Sequence, residues 1–165
     1  MILRLLASVA LLTYSAWLMA AYDFHFLDHV NLAIHEAGHM VFSSFGNTLH
    51  ALGGTILQLA APLAFAINFV LRGRRFDAWV CVFWFGESLM YTAWYLADAY
   101  LMALPLVGGE RHDWNFLLSR WGLVAEAQTI GGVLHWIAGG ITLLAALGAG
   151  AVSVSARARR RREFA

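Results

Sequence analysis

The stretch Phe26-Leu27-Asp28-His29-Val30-Asn31-Leu32-Ala33-Ile34-His35-Glu36-Ala37-Gly38-His39-Met40-Val41-Phe42-Ser43-Ser44-Phe45 decides how the rest of the chain is read. Its polar members Asp28, Asn31, His35, Glu36 and His39 recur at helical spacing and form one stripe on an otherwise apolar segment. No proline occurs between Ile2 and Ala61, and the spacing predicts a helix over 26–45. On that helix His35 and His39 lie one turn apart on one face, so both imidazoles reach a single metal ion. Glu36 stands beside them, placed to act as general base on a water molecule that the metal activates. The bland alternative is a structural polar stripe. Against it, three ionisable groups in one turn of an apolar helix cost on the order of several kcal/mol unless they are paired or bind metal.

The surrounding composition favours the membrane setting. Apolar residues make up 61% of the 165-residue chain, above the soluble globular norm. Seven tryptophans and eleven phenylalanines suit interfacial anchoring. A single cysteine, Cys81, excludes an internal disulfide and any cysteine-rich metal site. Net charge is +1 and carries little information, but its distribution does: Arg72, Arg74 and Arg75 form one basic cluster and Arg157, Arg159, Arg160, Arg161 and Arg162 another. These read as topology signals with weak attraction to anionic lipids, and no nucleic-acid partner is expected.

Working outward, Ile2 to Ala21 is a first span or signal-anchor. Leu49 to Leu71 is long enough to span, with Gly53-Gly54 allowing close helix contact and Pro62 expected to kink or break it. Ala78 to Ala97 is the next span, with Glu87 in its middle and Asp98 just beyond. Leu104 to Trp121 is a polar connection, and Ala127 to Ala156 spans again before the basic tail 156–165. The expected fold is all-α: one transmembrane domain over 1–165, a polytopic bundle of about five membrane helices, the 26–45 helix among them or re-entrant. Both arginine clusters belong in the cytoplasm, which puts the Gly108 to Asn115 loop outside. The orientation of the N-terminus stays open between four full spans and five. An integral multi-pass protein of a bacterial inner membrane is the expected setting.

A catalytic zinc needs a third protein ligand and one open position. The candidates are Asp113, His112, Glu110, Asp98 and Glu87. Asp113 is preferred because a carboxylate in a polar loop keeps a hard, water-activating site. His112 is the alternate, as a ligand or as a hydrogen-bond donor to the transition state. The competing reading makes Asp113 the cap of a short helix over 114–120. Glu87, mid-span, is read as a carboxyl tying helices together, with Gln58, Asn68 or Tyr91 as partner. Asp98 is a candidate for orienting a zinc-binding histidine. His25, His29 and His50 flank the motif near the interface, and His135 reads as a packed histidine.

His35-Glu36-Ala37-Gly38-His39, with Phe45-Gly46, Gly53-Gly54 and Ala61-Pro62 followed by Asn68, resembles the site-2 protease clan of intramembrane zinc metalloproteases. The resemblance covers roughly Leu32 to Leu71. It implies a Zn2+ cofactor held by His35, His39 and an aspartate on a later helix, with Glu36 as catalytic base. The family's Leu-Asp-Gly element corresponds here only to His112-Asp113-Trp114, a departure from its pattern. The implied reaction is hydrolysis of a peptide bond within or beside the bilayer, with a transmembrane-helix protein as substrate and Gly53-Gly54 as a place for its backbone to approach. Three other functions fit the same residues: a membrane protein that binds or conducts metal ions or protons, a zinc-dependent lipid amide or ester hydrolase, and an inactive scaffold.

Overall fold

The computed structural model describes residues 2–107 and 111–163, the side chains of 157–163 excepted. Glu110, with Gly108 and Gly109, lies outside the described residues. Among the described residues all regular structure is helical and there is no strand. Its helices are α1 (Ile2–Ala20), α2 (Phe26–Phe42), α3 (Asn47–Leu71), α4 (Arg75–Ala97), α5 (Asp113–Arg120) and α6 (Ala127–Glu163), with short 3-10 turns at Ser43–Phe45 and Val124–Glu126. Three segments are long and apolar enough to cross a membrane: α1 with 19 residues, α3 with 25, and 33 residues over Val124–Ala156. α2 and α4 fall outside that set, α2 because it is only 17 residues long and carries the polar stripe.

Local chemistry sets the ends of α2. His25 is extended at φ −143° and precedes the first turn. Asp28 Oδ2 accepts the His25 backbone N–H at 3.0 Å and lies 2.8 Å from its Nδ1, which ties off the helix start. At the other end Gly46, at φ 85°, turns the chain into α3 with a backbone that an L side chain rarely adopts. α3 runs on through Pro62, so of the expected kink or break the break does not occur. Proline has no N–H to give the carbonyl four residues earlier, that of Gln58. The Ser88 hydroxyl donates to that carbonyl instead, over 3.5 Å.

The chain packs as two compact units. Unit 1 comprises residues 1–23, 62–87 and 138–165; unit 2 comprises 24–61 and 88–137, so α3, α4 and α6 contribute to both. In unit 1, Tyr14 stacks on Phe83 at 5.7 Å and the Arg4 guanidinium lies 5.1 Å over the Phe76 ring. Small residues bring helices close there: a Cβ added to Gly86 would sit 2.8 Å from Thr142 Cγ2, and one on Gly148 would meet the Trp79 ring. In unit 2, Leu96, Ala99, Leu118 and Ala127 form a buried cluster covered by Trp114, Val124, Ile130 and Leu134. α2 and α3 touch backbone to backbone, since a Cβ on Gly38 would land on the Gly53 carbonyl.

Candidate metal centre

All of the centre lies in unit 2. The four-residue spacing on α2 puts the His35 and His39 rings edge to face with centroids 4.7 Å apart. The first residue of α5 brings in a carboxylate. Asp113 Oδ2 is 3.3 Å from His35 Nε2 and 3.1 Å from His39 Nε2. One ligand atom from each of the three residues falls within 4.8 Å of the others.

The far side of each imidazole fixes what the near side can do. His35 Nδ1 lies 3.0 Å from Gln58 Oε1, and His39 Nδ1 lies 2.8 Å from the His50 carbonyl oxygen. Both partners are oxygens that only accept, so each Nδ1 carries a proton and donates it. The neutral ring then presents a bare lone pair at Nε2 towards Asp113. Gln58 cannot turn its amide around. Its Nε2 donates to the Ser88 carbonyl at 2.9 Å, to Ser88 Oγ at 3.0 Å and to Thr92 Oγ1 at 3.3 Å. Gln58, Ser88 and Thr92 are all buried. Two imidazole lone pairs and a carboxylate oxygen converging at 3.1–3.3 Å repel one another unless a cation, a proton or a metal ion, lies among them. Two nitrogens and one hard oxygen are the donor chemistry that suits zinc with a position left open, so the residues fit the ion.

Glycine makes room for this arrangement. A Cβ on Gly54 would collide with the His35 ring, and one on Gly53 would lie 2.7 Å from Phe42 Cβ. On the face where a side chain would sit, the Gly53-Gly54 pair is therefore filled by α2 rather than offered to a substrate.

The expected competition between ligand and cap at Asp113 resolves differently. α5 starts at Asp113, and its cap is His112, whose Nδ1 accepts the Asn115 N–H at 3.2 Å. Asp113 keeps its carboxylate for the histidines, and its backbone N–H donates to the Tyr95 hydroxyl at 3.2 Å. Burial pushes the Asp113 carboxyl up; with the rings protonated at Nε2 as well, hydrogen bonds from His35 and His39, and their charge, outweigh it and hold the group down at about 2. Burial pushes the His112 imidazole below the usual value, with Asp98 and Asp113 opposing.

The alternates stand elsewhere. His112 Nε2 faces Asp98 Oδ2 at 3.6 Å, and its Nδ1 is taken by the helix cap. Asp98 accepts the Ala103 and Leu104 N–H groups, both at 3.0 Å, and closes the turn after α4. Glu87 is buried on α4 in unit 1. His29 meets the Phe24 ring and His135 the Trp136 ring. Glu36 is half-buried beside the pair, and its charge reaches both His39 and Tyr95.

Gln58, one of three partners considered for Glu87, bonds His35, Ser88 and Thr92. Tyr95 went unnoticed, although Ser88, Thr92 and Tyr95 recur at helical spacing and mark one polar face of α4. No family model, no curated protein and no solved structure matches the chain.

Proposed function

We propose that this chain is a multi-pass protein of a bacterial cell membrane and an intramembrane zinc metallopeptidase of the kind the site-2 protease clan represents. Three apolar helices support the membrane setting. The 23 residues of α4 extend about 35 Å at the α-helical rise, enough for a fourth span. α2, about 26 Å by the same rise, is the fifth, short or re-entrant helix of the bundle.

The observation that carries the reading is the convergence of His35 Nε2 and His39 Nε2 on Asp113 Oδ2, with each Nδ1 held by an oxygen acceptor. That is the arrangement of metal-binding histidines oriented from behind. His35, His39 and Asp113 would hold the zinc. When bound, zinc polarises the scissile carbonyl and lowers the pKa of water. Gln58 and the His50 carbonyl keep both rings in the tautomer that ligation requires. Glu36, next to His35 and electrostatically coupled to His39, takes the water proton and passes it to the leaving amine nitrogen. Asp113 would add the third donor through Oδ2.

The test is the metal content of detergent-purified protein, made without chelators, for the wild type and for His39→Ala, Asp113→Ala and Glu36→Gln. One zinc per chain is expected in the wild type and in Glu36→Gln, with loss in the other two. Glu36→Gln should lack hydrolytic activity, which separates an enzyme from a metal carrier. A wild type without stoichiometric metal sinks the reading.

A further inference from the structure

Hydrolysis of an amide builds negative charge on the carbonyl oxygen, and a preorganised donor aimed at that oxygen lowers the barrier. Around the centre most donors are already engaged. The Nδ1–H groups of His35 and His39 point away to Gln58 and to the His50 carbonyl. The Gln58 amide donates to Ser88 and Thr92, and Asn115 Nδ2 donates to the Ala99 carbonyl at 2.8 Å. Tyr95 differs. Its hydroxyl accepts the Asp113 N–H at 3.2 Å, and among the described residues nothing accepts its own proton. A phenol keeps that proton at neutral pH, its ordinary pKa being about 10. The ring is held on two sides, stacked on His112 at 4.1 Å and edge-on to His35 at 6.0 Å. The side chain is half-buried, so it is neither sealed in the core nor loose in solvent.

We propose that Tyr95 is a further catalytic residue, whose hydroxyl donates a hydrogen bond to the carbonyl oxygen of the bond being cleaved. This rests on the metallopeptidase reading. In the step it serves, the water oxygen bonds to the carbonyl carbon and the C=O π pair moves onto oxygen. The C–N bond then breaks as that pair returns, and the water proton reaches the amine through Glu36. Tyr95 keeps its proton throughout and only stabilises the charged oxygen. The amide N–H of Asp113, donating into the same hydroxyl, makes that O–H a stronger donor and ties its position to a metal ligand.

The experiment compares wild type with Tyr95→Phe, each loaded with zinc and with cobalt(II). Zinc content is measured directly, and acetohydroxamate binding is followed through the cobalt visible spectrum. The hydroxamate carbonyl oxygen is the stand-in for the reacting oxygen. Equal zinc content and at least tenfold weaker acetohydroxamate binding in Tyr95→Phe are expected, on the order of one hydrogen bond to a charged group. Should Tyr95→Phe fail to fold, 3-fluorotyrosine at position 95 nearly keeps the shape, retains its proton at neutral pH and sharpens the donor, and tighter binding is expected. Equal acetohydroxamate affinity in a zinc-replete pair overturns the role of Tyr95 and leaves the metallopeptidase reading standing. Loss of zinc in Tyr95→Phe also overturns it, because the hydroxyl would then serve to position Asp113. A wild type that holds no zinc removes the reading and this role together.

Discussion

Replacing Gln58 by leucine tests the logic of the centre at its most buried point. The substitution keeps most of the volume and removes both ends of the amide. His35 Nδ1–H loses the acceptor it has at 3.0 Å, and Thr92 Oγ1 and Ser88 Oγ lose a donor. The Ser88 carbonyl keeps the Thr92 hydroxyl at 3.0 Å, so the main orphan is the imidazole N–H. Leaving such a buried donor unmet costs about 1–3 kcal/mol. The ring is then free to move its proton to Nε2, the atom that must be bare to bind metal. Loss of an outer partner of this kind lowers metal affinity about 10–100-fold. The assay is zinc affinity by chelator competition at fixed pH, with thermal unfolding of the metal-free protein beside it. Gln58→Glu, which retains an acceptor, should bind zinc at least as tightly as wild type. A Gln58→Leu protein with wild-type zinc affinity and an unchanged unfolding midpoint would refute the tautomer argument.

Other substitutions probe neighbouring contacts. Gly54→Ala forces a methyl onto the His35 ring and should destabilise the protein by about 1–3 kcal/mol through overpacking, with at least tenfold weaker zinc binding by the same competition. For His112, the folded imidazole titrates below its ordinary 6.5 while the unfolded one does not. The unfolded chain therefore binds the extra proton, and this contribution is complete above pH 6.5 and is lost as the pH falls below it. His112→Asn keeps an N-cap acceptor without titrating, so denaturant midpoints between pH 4 and 6.5 should fall less steeply than in wild type. The Asp113 contribution has the opposite chemical origin and fades only between its ordinary 3.8 and about 2, outside that window. Met102, the one described non-glycine residue with positive φ, at 49°, should tolerate Met102→Gly with a gain of up to about 1 kcal/mol in a thermal melt.

Much of this was legible because periodicity is local. The apolar runs of α1, α3 and α6 announce themselves by length, and the His35–His39 pair by a four-residue step. Asp113 was legible as a candidate because it is an acid in a polar loop, but its meeting with α2 depends on contacts 78 residues apart in the chain. Ligand and cap stay open for Asp113 in the sequence because Asp113 and His112 can both accept a backbone N–H, and only tertiary demand on the carboxylate decides between them. Pro62 leaves α3 unbroken for a related reason. A proline breaks a helix by orphaning one carbonyl, and Ser88, from a helix that sequence alone cannot dock, supplies a replacement donor. Gln58 and Tyr95 belong to no motif, so their roles emerge only once α3, α4 and α5 are packed around α2.

The oxygen acceptors behind His35 and His39 have a consequence for how the proposed centre would take up an ion. With both Nδ1 protons committed, a hydrogen bond from either Nε2 to Asp113 requires a second proton on that ring, and hence an imidazolium. On the proposed reading, a divalent cation would take the place of any such proton between the rings and Asp113. The proposed centre would then act as an ion exchanger, giving up those protons to the metal it admits. The heat of zinc binding should then vary with the ionisation enthalpy of the buffer, and zinc affinity should fall as the pH is lowered.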